Sequence, residues 1–330
     1  MLLLLSAGVS AQENITMVNV ITPTDLSEWI NYLASDRMKG RSNGSAEMVE
    51  AANWIASKFR EYGVKPFKGY PDYFQNYSTE TRGGGVINEK NVIGFIPGSN
   101  PDLGDEFIVL TAHFDHVGIR TAIEGDSIYN GADDNGAGTC TLLGIAKAFK
   151  EAGYVPGRGI IFAAVSGEEI GLRGSRYLVN NMPVPIESVY ANLNFEMIGH
   201  SEYLGPGNYY MTGTELSNLD DIIQQYHKGG SITLVDTIAL ASRLFYMSDN
   251  AAFARYSSSD GINSGIPCGT FATTTFADHI HSPFDEPGLF DFDNMAVLVN
   301  YFAFITAKLS NSEEEIDWTS DIFRRPPGKK

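Results

Sequence analysis

The chain of 330 residues is 43% hydrophobic and 19% charged, an ordinary globular composition with ample material for a large core. Its 40 acidic residues outnumber its 23 basic ones, so the formal net charge is −17. A polyanionic surface repels phosphate backbones, which argues against nucleic acid as a partner. Cys140 and Cys268 are too few for a disulfide scaffold or a thiolate zinc site, and we expect buried thiols or at most one bridge.

The first residues, MLLLLSAGVSAQEN, resemble an export signal that lacks its basic start. A short apolar run is followed by Val9-Ser10-Ala11, small residues of the kind that precede a signal-peptidase cut. We therefore expect residues 1–11 to be the remnant of a signal peptide, and the protein to be periplasmic or extracellular. A buried N-terminal strand is the alternative. After this segment the sequence has no uninterrupted run of about eighteen apolar residues, so we predict no membrane span in the mature chain.

Helical and extended patterns alternate along the rest of the chain. Helices are predicted over residues 24–35 (with Thr24 or Asp25 as the N-cap), 46–62, 136–150, 173–181, 215–228, 248–256 and 291–309. Extended runs are predicted over residues 71–79, 89–96, 107–112, 158–165 and 188–195, with a strand or two between 231 and 277. This alternation predicts an α/β fold with a mixed, mainly parallel central sheet and helices on both faces. Without repeats or an internal linker, we predict one domain over 12–310 and a polar, loosely held tail over 311–330.

Acidic and imidazole side chains follow several of the predicted strands. They are His113, Asp115 and His116; Asp133 and Asp134; Glu168 and Glu169; Glu196; and, near the C-terminus, His279, His281, Asp285 and Glu286. Each group alone is typical of a turn, a loop or a solvated acidic patch. Together, at the carboxyl ends of the strands of one sheet, these carboxylates would repel one another strongly. A divalent cation removes that repulsion, and mixed His, Asp and Glu ligands suit zinc.

The motifs HFD, GADDNGAG, EEIGLRGS, NFEMIG and HSPFD, in this order, resemble those of the zinc aminopeptidases of peptidase family M28. The segment LASDRMKGRSNGSAEMVEAANWIASKFREYGVKPF resembles the N-terminal part of the family, so the resemblance runs from about residue 24 to 309. It implies the zinc-dependent exopeptidase (phosphorylase/hydrolase-like) fold and two zinc ions. It also implies peptide substrates with a free N-terminus.

Carried over position by position, the resemblance implies a role for eight residues. The implied metal ligands are His113, Asp134 as the bridge between the two ions, Glu169, Glu196 and His281. Glu168 would be the general base that takes a proton from the attacking water and returns it to the leaving amine. Asp115 and Asp285 would accept hydrogen bonds from the metal-bound imidazoles. No other cofactor is implied.

Two positions depart from the family pattern. Glu196 stands where the family has Asp, and its extra methylene requires a backbone shift or a different mode of metal binding. Asn250 replaces the His of a Ser-Asp-His segment, so we assign no role to residues 248–250.

Other functions fit the same motifs less well. A glutaminyl cyclase would use a single zinc on this fold, but Ile280 stands where cyclases have a Trp before the late His. A metal-free binding ectodomain would have no need of acids and imidazoles at every candidate position. A carboxypeptidase or amidohydrolase would lack acids placed for a free amine.

The substrate pocket is expected from loops near 119–130, 200–213 and 240–276. Their aromatic residues, Tyr203, Tyr209, Tyr210, Phe245 and Tyr246, belong either to the pocket or to the core. The sequence does not determine the preferred substrate or the oligomeric state.

Overall fold

The computed structural model of the protein describes residues 19–81, 83–227, 231–235, 238–257, 265–274 and 279–320. The expected signal remnant, residues 1–11, lies outside these ranges, as do residues 321–330 of the expected tail. None of the helices in the described ranges combines the length and apolar character that crossing a membrane requires.

One mixed sheet of eight strands organises the described part of the chain. The described residues form ten strands in all: β1 (Phe74–Glu80), β2 (Val86–Ile96), β3 (Phe107–His113), β4 (Gly118–Ile123), β5 (Asp126–Tyr129), β6 (Gly159–Val165), β7 (Val189–Phe195), β8 (Asn208–Met211), β9 (Thr233–Leu234) and β10 (Cys268–Ala272). The order in the sheet is β1-β2-β6-β3-β7-β10-β8-β9, and β4 and β5 form a separate antiparallel hairpin. The pairs β6/β3, β3/β7, β7/β10 and β8/β9 are parallel, and this confirms the predicted mixed, mainly parallel sheet.

The central parallel strands end along one edge of the sheet. Every residue of β6 and of β10 is buried, as expected of strands covered on both faces. In the register of the sheet, His113 of β3 lies beside Val165 of β6, and Phe195 of β7 lies beside Phe271 of β10. The polar residues that follow β3, β6 and β7 are therefore brought to one place, beyond the carboxyl ends of the strands, where α/β sheets bind ligands.

Helices cover both faces of this sheet, as predicted. They are α1 (Pro23–Leu33), α2 (Ala46–Glu61), α3 (Gly138–Glu151), α4 (Arg173–Asn180), α5 (Leu219–Tyr226), α6 (Ile238–Leu244), α7 (Asn250–Ala254) and α8 (Phe292–Ser310), with short helical turns at Asp36–Arg41, Ala132–Ala137, Ile186–Ser188 and Pro287–Leu289. Helices α1, α2, α3 and α8 pack on the face that carries Leu110 and Phe162. Helices α4 and α7 pack on the other face, against Val109 and Ile161. Burial of each such apolar side chain contributes about 1.5–3 kcal/mol.

Helix α1 begins earlier than predicted because its N-cap is Thr22. The Thr22 hydroxyl accepts a hydrogen bond from the amide of Asp25, and the Asp25 carboxylate accepts one from the amide of Thr22. This reciprocal pair is a capping box, and Pro23 occupies the first turn, where no amide donor is needed. The prediction of Thr24 or Asp25 as the N-cap is therefore wrong, and Asp25 instead supplies the acid of the box.

Four strands and helices lie where the sequence predicts a loop or no regular element. They are the β4/β5 hairpin, β8 and α6. Five of the six residues of β4 are exposed, so this strand lacks the alternation of apolar and polar residues that predicts a strand. Strand β8 has only four residues, too few for a clear pattern.

Residues 311–320 differ from the expected loose tail because they pack on the domain. Ile316 and Trp318 are buried, and Asn218 and Asp317 exchange hydrogen bonds. The domain therefore continues at least to residue 320. Cys140 and Cys268 are both buried and free, in agreement with the expectation of buried thiols.

Candidate metal centre

The five predicted ligands lie together at the carboxyl edge of the sheet. His113 ends β3, Asp134 lies in the turn before α3, Glu169 follows β6 and Glu196 follows β7, while His281 comes from the segment before α8. They fall into two groups of close ligand atoms that share Asp134. The first metal group is His113, Asp134 and Glu196, and the second metal group is His116, Asp134, Glu169 and His281.

The two carboxylate oxygens of Asp134 face different groups. Its Oδ1 lies 3.4 Å from Nε2 of His113, which in turn lies 3.9 Å from Oε1 of Glu196. Its Oδ2 lies 3.1 Å from Nε2 of His281. A carboxylate with one oxygen in each group is placed to bridge two cations.

The second metal group is completed by a histidine to which the sequence analysis gave no role. Nδ1 of His116 lies 3.1 Å from Oε1 of Glu169 and 3.8 Å from Oδ2 of Asp134. His281 approaches the same Glu169 oxygen to within 3.0 Å. His116 had been noted only as a polar residue after β3. Its position directly after Asp115 in HFDH was the one available signal.

The donor set fits divalent metal ions. In the described part of the chain, Nε2 of His113 and both ring nitrogens of His116 are buried without a hydrogen-bond partner. Buried polar atoms are normally paired, so these nitrogens are available to a metal ion. Imidazole nitrogens and carboxylate oxygens are the donors that zinc prefers in catalytic sites.

In the metal-free chain, the candidate ligands strongly shift the pKa values of one another. Burial alone would lower the pKa of His113, but the carboxylates of Asp115, Asp134 and Glu196 raise it well above its usual value. Asp134 and Glu169 raise the pKa of His281 to about 10. Burial opposes ionisation of Asp134, yet His113 and His281 hold its pKa well below its usual value. Protons on the imidazoles thus balance the carboxylates when no metal is bound.

The loop that carries Asp134 is fixed by a second aspartate. Asp285 accepts hydrogen bonds from the amides of Asp133 (2.7 Å) and Asp134 (3.0 Å), one on each carboxylate oxygen. Asp285 therefore holds the backbone of the loop and makes no hydrogen bond to an imidazole of the described residues, which differs from the role that the resemblance implied. Gly131, at φ +61°, lies so close to His116 that an added Cβ would be 2.4 Å from its ring. Only glycine fits there.

Arg41 links the loops of the site through hydrogen bonds to their backbone. This fully buried guanidinium donates hydrogen bonds to the backbone carbonyls of Leu33, Phe114, Asn130 and Gly131. Phe114 lies between two site residues, and Gly131 begins the loop of Asp134. One side chain therefore binds three carbonyls of the site loops and the carbonyl at the end of α1.

Asp115 anchors the glutamate pair. Its two carboxylate oxygens accept hydrogen bonds from the amides of Glu168 and Glu169, both at 3.2 Å, and Nδ2 of Asn43 donates a further bond at 2.7 Å. Nδ1 of His113 lies 3.2 Å from the backbone carbonyl of Asp115 and 3.7 Å from its carboxylate. The backbone of Asp115 is thus the nearer acceptor for the imidazole, while its carboxylate mainly positions the glutamates.

Charges of the first metal group act on the carboxyl group of Glu168. Burial raises its pKa well above the usual value, His113 opposes that effect, and the negative charges of Glu196 and Asp249 add to it. Glu168 therefore lies close to the first metal group, whereas the oxygen of Glu169 belongs to the second. The raised pKa favours the protonated carboxyl group, which is the form that a general base takes after it has accepted a proton.

Asp249, in the segment to which the sequence analysis gave no role, is completely buried beside these groups. Burial raises its pKa to about 7, and His113 counters that shift. Its neighbours Ser248 and Asn250 are tied into the sheet, since Nδ2 of Asn194 donates to Ser248 (2.7 Å) and Thr270 donates to Asn250 (2.8 Å). These bonds hold the side chains on both sides of Asp249. Asn250, the departure from the family pattern, thus has a structural role.

Most of the aromatic residues proposed for a pocket belong to the core. Tyr209, Tyr210 and Phe245 are buried. Tyr203, by contrast, is 37% exposed, and its hydroxyl lies 3.3 Å from Nδ1 of His279.

The family model for Peptidase family M28 matches residues 91–303, which include every ligand of the two metal groups. The chain belongs to peptidase family M28.

This M28 chain is 25% identical over 242 residues to leupeptin-inactivating enzyme 1 of Streptomyces exfoliatus, covering 73% of the chain and 46% of that enzyme. It is 30% identical over 162 residues to a probable zinc metalloprotease of Pyrenophora teres f. teres, covering 48% of the chain and 32% of that protein. It is 28% identical over 287 residues to a probable leucine aminopeptidase 1 of Trichophyton verrucosum, covering 82% of the chain and 68% of that protein.

The M28 chain thus spans less than half of the length of the first two of these relatives. Solved structures share its fold. BSAP, a zinc aminopeptidase from Bacillus subtilis, superposes with a TM-score of 0.64 at 14% identity, covering 87% of the chain and 95% of that structure. The glutaminyl cyclase of Porphyromonas gingivalis superposes with a TM-score of 0.66 at 18% identity, covering 88% and 99%. At such identities the likeness establishes the fold alone.

Proposed function

We propose that this M28 chain is a zinc-dependent aminopeptidase that hydrolyses the first peptide bond of peptides with a free N-terminus. The observation that carries the proposal is the position of Asp134, whose two oxygens face His113 on one side and His281 on the other. Such an arrangement serves two ions held side by side. The relatives named leucine aminopeptidase and zinc metalloprotease support the same activity.

The two metal groups would hold one zinc ion each. His113, Asp134 and Glu196 would bind the first ion. The second would be bound by Asp134, Glu169 and His281, with His116 as a further donor in the same group. When bound, paired zinc ions polarise a substrate carbonyl and lower the pKa of water enough for it to attack at neutral pH.

The chain's own residues would perform the proton transfers. Glu168 would accept the proton of the attacking water and deliver it to the nitrogen of the leaving amine. Asp115 would hold the backbone of Glu168 in place through the amide hydrogen bond at 3.2 Å. Glu196 and Asp249 would add negative charge on the side of the first group, where a substrate ammonium group would be favoured.

A direct experiment compares zinc content and substrate range. Wild type, His113→Gln and His281→Gln are stripped of metal, reloaded with zinc and analysed for zinc per chain. Each variant is expected to hold one ion fewer than wild type. Wild type is expected to cleave leucine p-nitroanilide and not its N-acetylated form. His227→Gln, a change outside both metal groups, serves as the matched control.

The contrary outcomes are equally specific. If His113→Gln keeps all of its zinc, His281→Gln loses it and wild type cyclises N-terminal glutamine, the chain is a single-zinc enzyme of the glutaminyl cyclase type. Equal cleavage of free and acetylated substrates would contradict an aminopeptidase. If no zinc is retained after reconstitution, the chain is a metal-free binding protein.

We also propose that the protein is exported, to the periplasm or beyond. The support is the Val9-Ser10-Ala11 pattern alone. N-terminal sequencing of the protein recovered from a secreting host is expected to give a chain that begins at Gln12. Recovery of an uncut chain from the cytoplasm alone would contradict the proposal.

A further inference from the structure

A third cluster of imidazoles and carboxylate lies next to the candidate metal centre. It consists of Asp133, His200 and His279. Oδ2 of Asp133 is 3.8 Å from Nε2 of His200 and 3.7 Å from Nε2 of His279. All three residues are buried, with exposed fractions of 0%, 1% and 8%. None of them belongs to the two metal groups, and the proposed reaction does not use them.

The atoms that face one another in the third cluster have no hydrogen bonds. Among the described residues, Oδ2 of Asp133 and Nε2 of both His200 and His279 are buried without a partner. Their separations exceed the range of an N–H···O hydrogen bond. The other oxygen of Asp133 is satisfied, because it accepts the amide of Gly199 at 2.8 Å. An unpaired buried polar atom destabilises the folded state, so three such atoms within reach of one another indicate a missing ligand.

The remaining imidazole nitrogens are turned toward polar neighbours. Nδ1 of His279 lies 3.3 Å from the hydroxyl of Tyr203, and Nδ1 of His200 lies 3.4 Å from Oε1 of Glu202. His279 shows the division that is typical of metal-binding histidines, with one nitrogen toward the ion and the other toward a polar group that fixes the ring. The contact of His200 with Glu202 is electrostatic, because its Nδ1 makes no hydrogen bond to the described residues.

We propose that Asp133, His200 and His279 bind a further divalent metal ion, with zinc as the preferred metal. Two imidazoles and one carboxylate are a donor set that suits zinc and disfavours calcium or magnesium, which prefer oxygen ligands. Zinc bonds of about 2.0–2.2 Å at a tetrahedral angle hold ligand atoms about 3.4 Å apart. The present separations of 3.7 and 3.8 Å therefore need to close by only a few tenths of an ångström. A water molecule would occupy the fourth position.

This ion would have a structural role, because its ligands come from three segments that carry residues of the two metal groups. Asp133 immediately precedes Asp134, His200 follows β7 and Glu196, and His279 precedes His281. One ion in the third cluster would tie these segments together. Burial of all three ligands leaves little access for a substrate.

Anomalous diffraction locates such an ion directly. Crystals of the full chain grown with zinc are measured on both sides of the zinc absorption edge. A peak between Asp133, His200 and His279 is expected, in addition to any peaks at Asp134. Absence of that peak would overturn the proposal. The result is independent of the proposed function, because a peak here neither requires nor implies ions in the two metal groups.

Zinc content of variants gives a second test in solution. His200→Gln and His279→Gln are each expected to hold one zinc ion fewer than wild type and to lose the anomalous peak. His227→Gln, which contacts Tyr301 away from the cluster, is expected to retain the wild-type content. Wild-type zinc content in folded His200→Gln and His279→Gln would contradict the proposal. If neither variant folds, the diffraction result on wild type decides alone.

Discussion

The carboxylate of Asp115 accepts a hydrogen bond from the backbone amide of Glu168 at 3.2 Å. With the equivalent bond from Glu169, it joins the end of β3 to the turn that follows β6. The residue proposed as general base is therefore held by its backbone, which leaves its carboxyl group free to exchange protons.

Replacement of Asp115 by Asn is expected to reduce kcat more than it changes KM. An amide offers one acceptor oxygen and turns an NH2 group toward a backbone N–H, so at least one charge-assisted bond, worth about 1.5–3 kcal/mol, is lost. Steady-state kinetics and thermal unfolding of zinc-loaded protein measure the effect. Asp102→Asn, at an exposed turn, is the control. Unchanged kcat in Asp115→Asn would show that the glutamates do not depend on this anchor.

Glu168→Gln is expected to lower kcat about a hundredfold or more without loss of metal. Glutamine cannot accept the proton of the attacking water, while the ligands of both metal groups stay intact. Turnover of leucine p-nitroanilide and zinc content are measured on the same preparation. Glu80→Gln, at the exposed end of β1, controls for the charge change. Retained turnover would assign the base to another group, with Asp249 the first to examine.

Zinc binding at the two metal groups is expected to release at least two protons at about pH 7.5, because bound imidazoles must be neutral. In the metal-free chain the pKa of His281 is raised to about 10 by Asp134 and Glu169, and that of His113 lies well above its usual value. Titration calorimetry in buffers of different ionisation enthalpy counts these protons. His281→Gln is expected to release one fewer. Release of equal numbers of protons by wild type and variant would show that metal binding does not remove a proton from His281.

Stability is expected to fall with rising pH because of Glu89 in β2. This buried carboxyl group accepts a hydrogen bond from the backbone amide of Gly44, and burial raises its pKa to about 7. Between about pH 4.5 and 7 the folded state keeps the proton that the unfolded state loses, so stability declines across this window, by up to about 3 kcal/mol. Glu89→Gln is expected to remove that decline, because its amide oxygen can still accept from Gly44.

Urea unfolding at several pH values measures the effect, on metal-free protein so that zinc affinity does not contribute. Glu80→Gln is again the control. If Glu89→Gln shows the same decline as wild type between pH 4.5 and 7, the buried carboxyl group is not its source.

The elements with regular hydrophobic patterns were predicted well from the sequence. The buried strand β6 and helix α2, which ends just before Gly63, lie within one or two residues of the predicted bounds. The hairpin of β4 and β5 was missed because its side chains are mostly exposed, so their polarity does not distinguish a strand from a loop.

At the site, the strand ends predicted which segments would meet, since parallel strands present their carboxyl ends at one edge. The parts that could not be predicted depend on side-chain direction. His116 follows a strand much as His113 ends it, and only the folded loop turns its Nδ1 toward Glu169. Asp249 is carried by a short helix whose position is set by hydrogen bonds to β7 and β10, contacts that have no sequence signal.

The hydrogen bonds of Arg41 to four carbonyls have a consequence for the order of folding and metal binding. Its guanidinium joins the loops around the metal centre with a cation that is part of the chain itself. The entropy cost of ordering those loops is therefore met during folding rather than on the arrival of an ion. We therefore expect the metal-free protein to keep these loops ordered, so that metal can bind and leave without unfolding of the site.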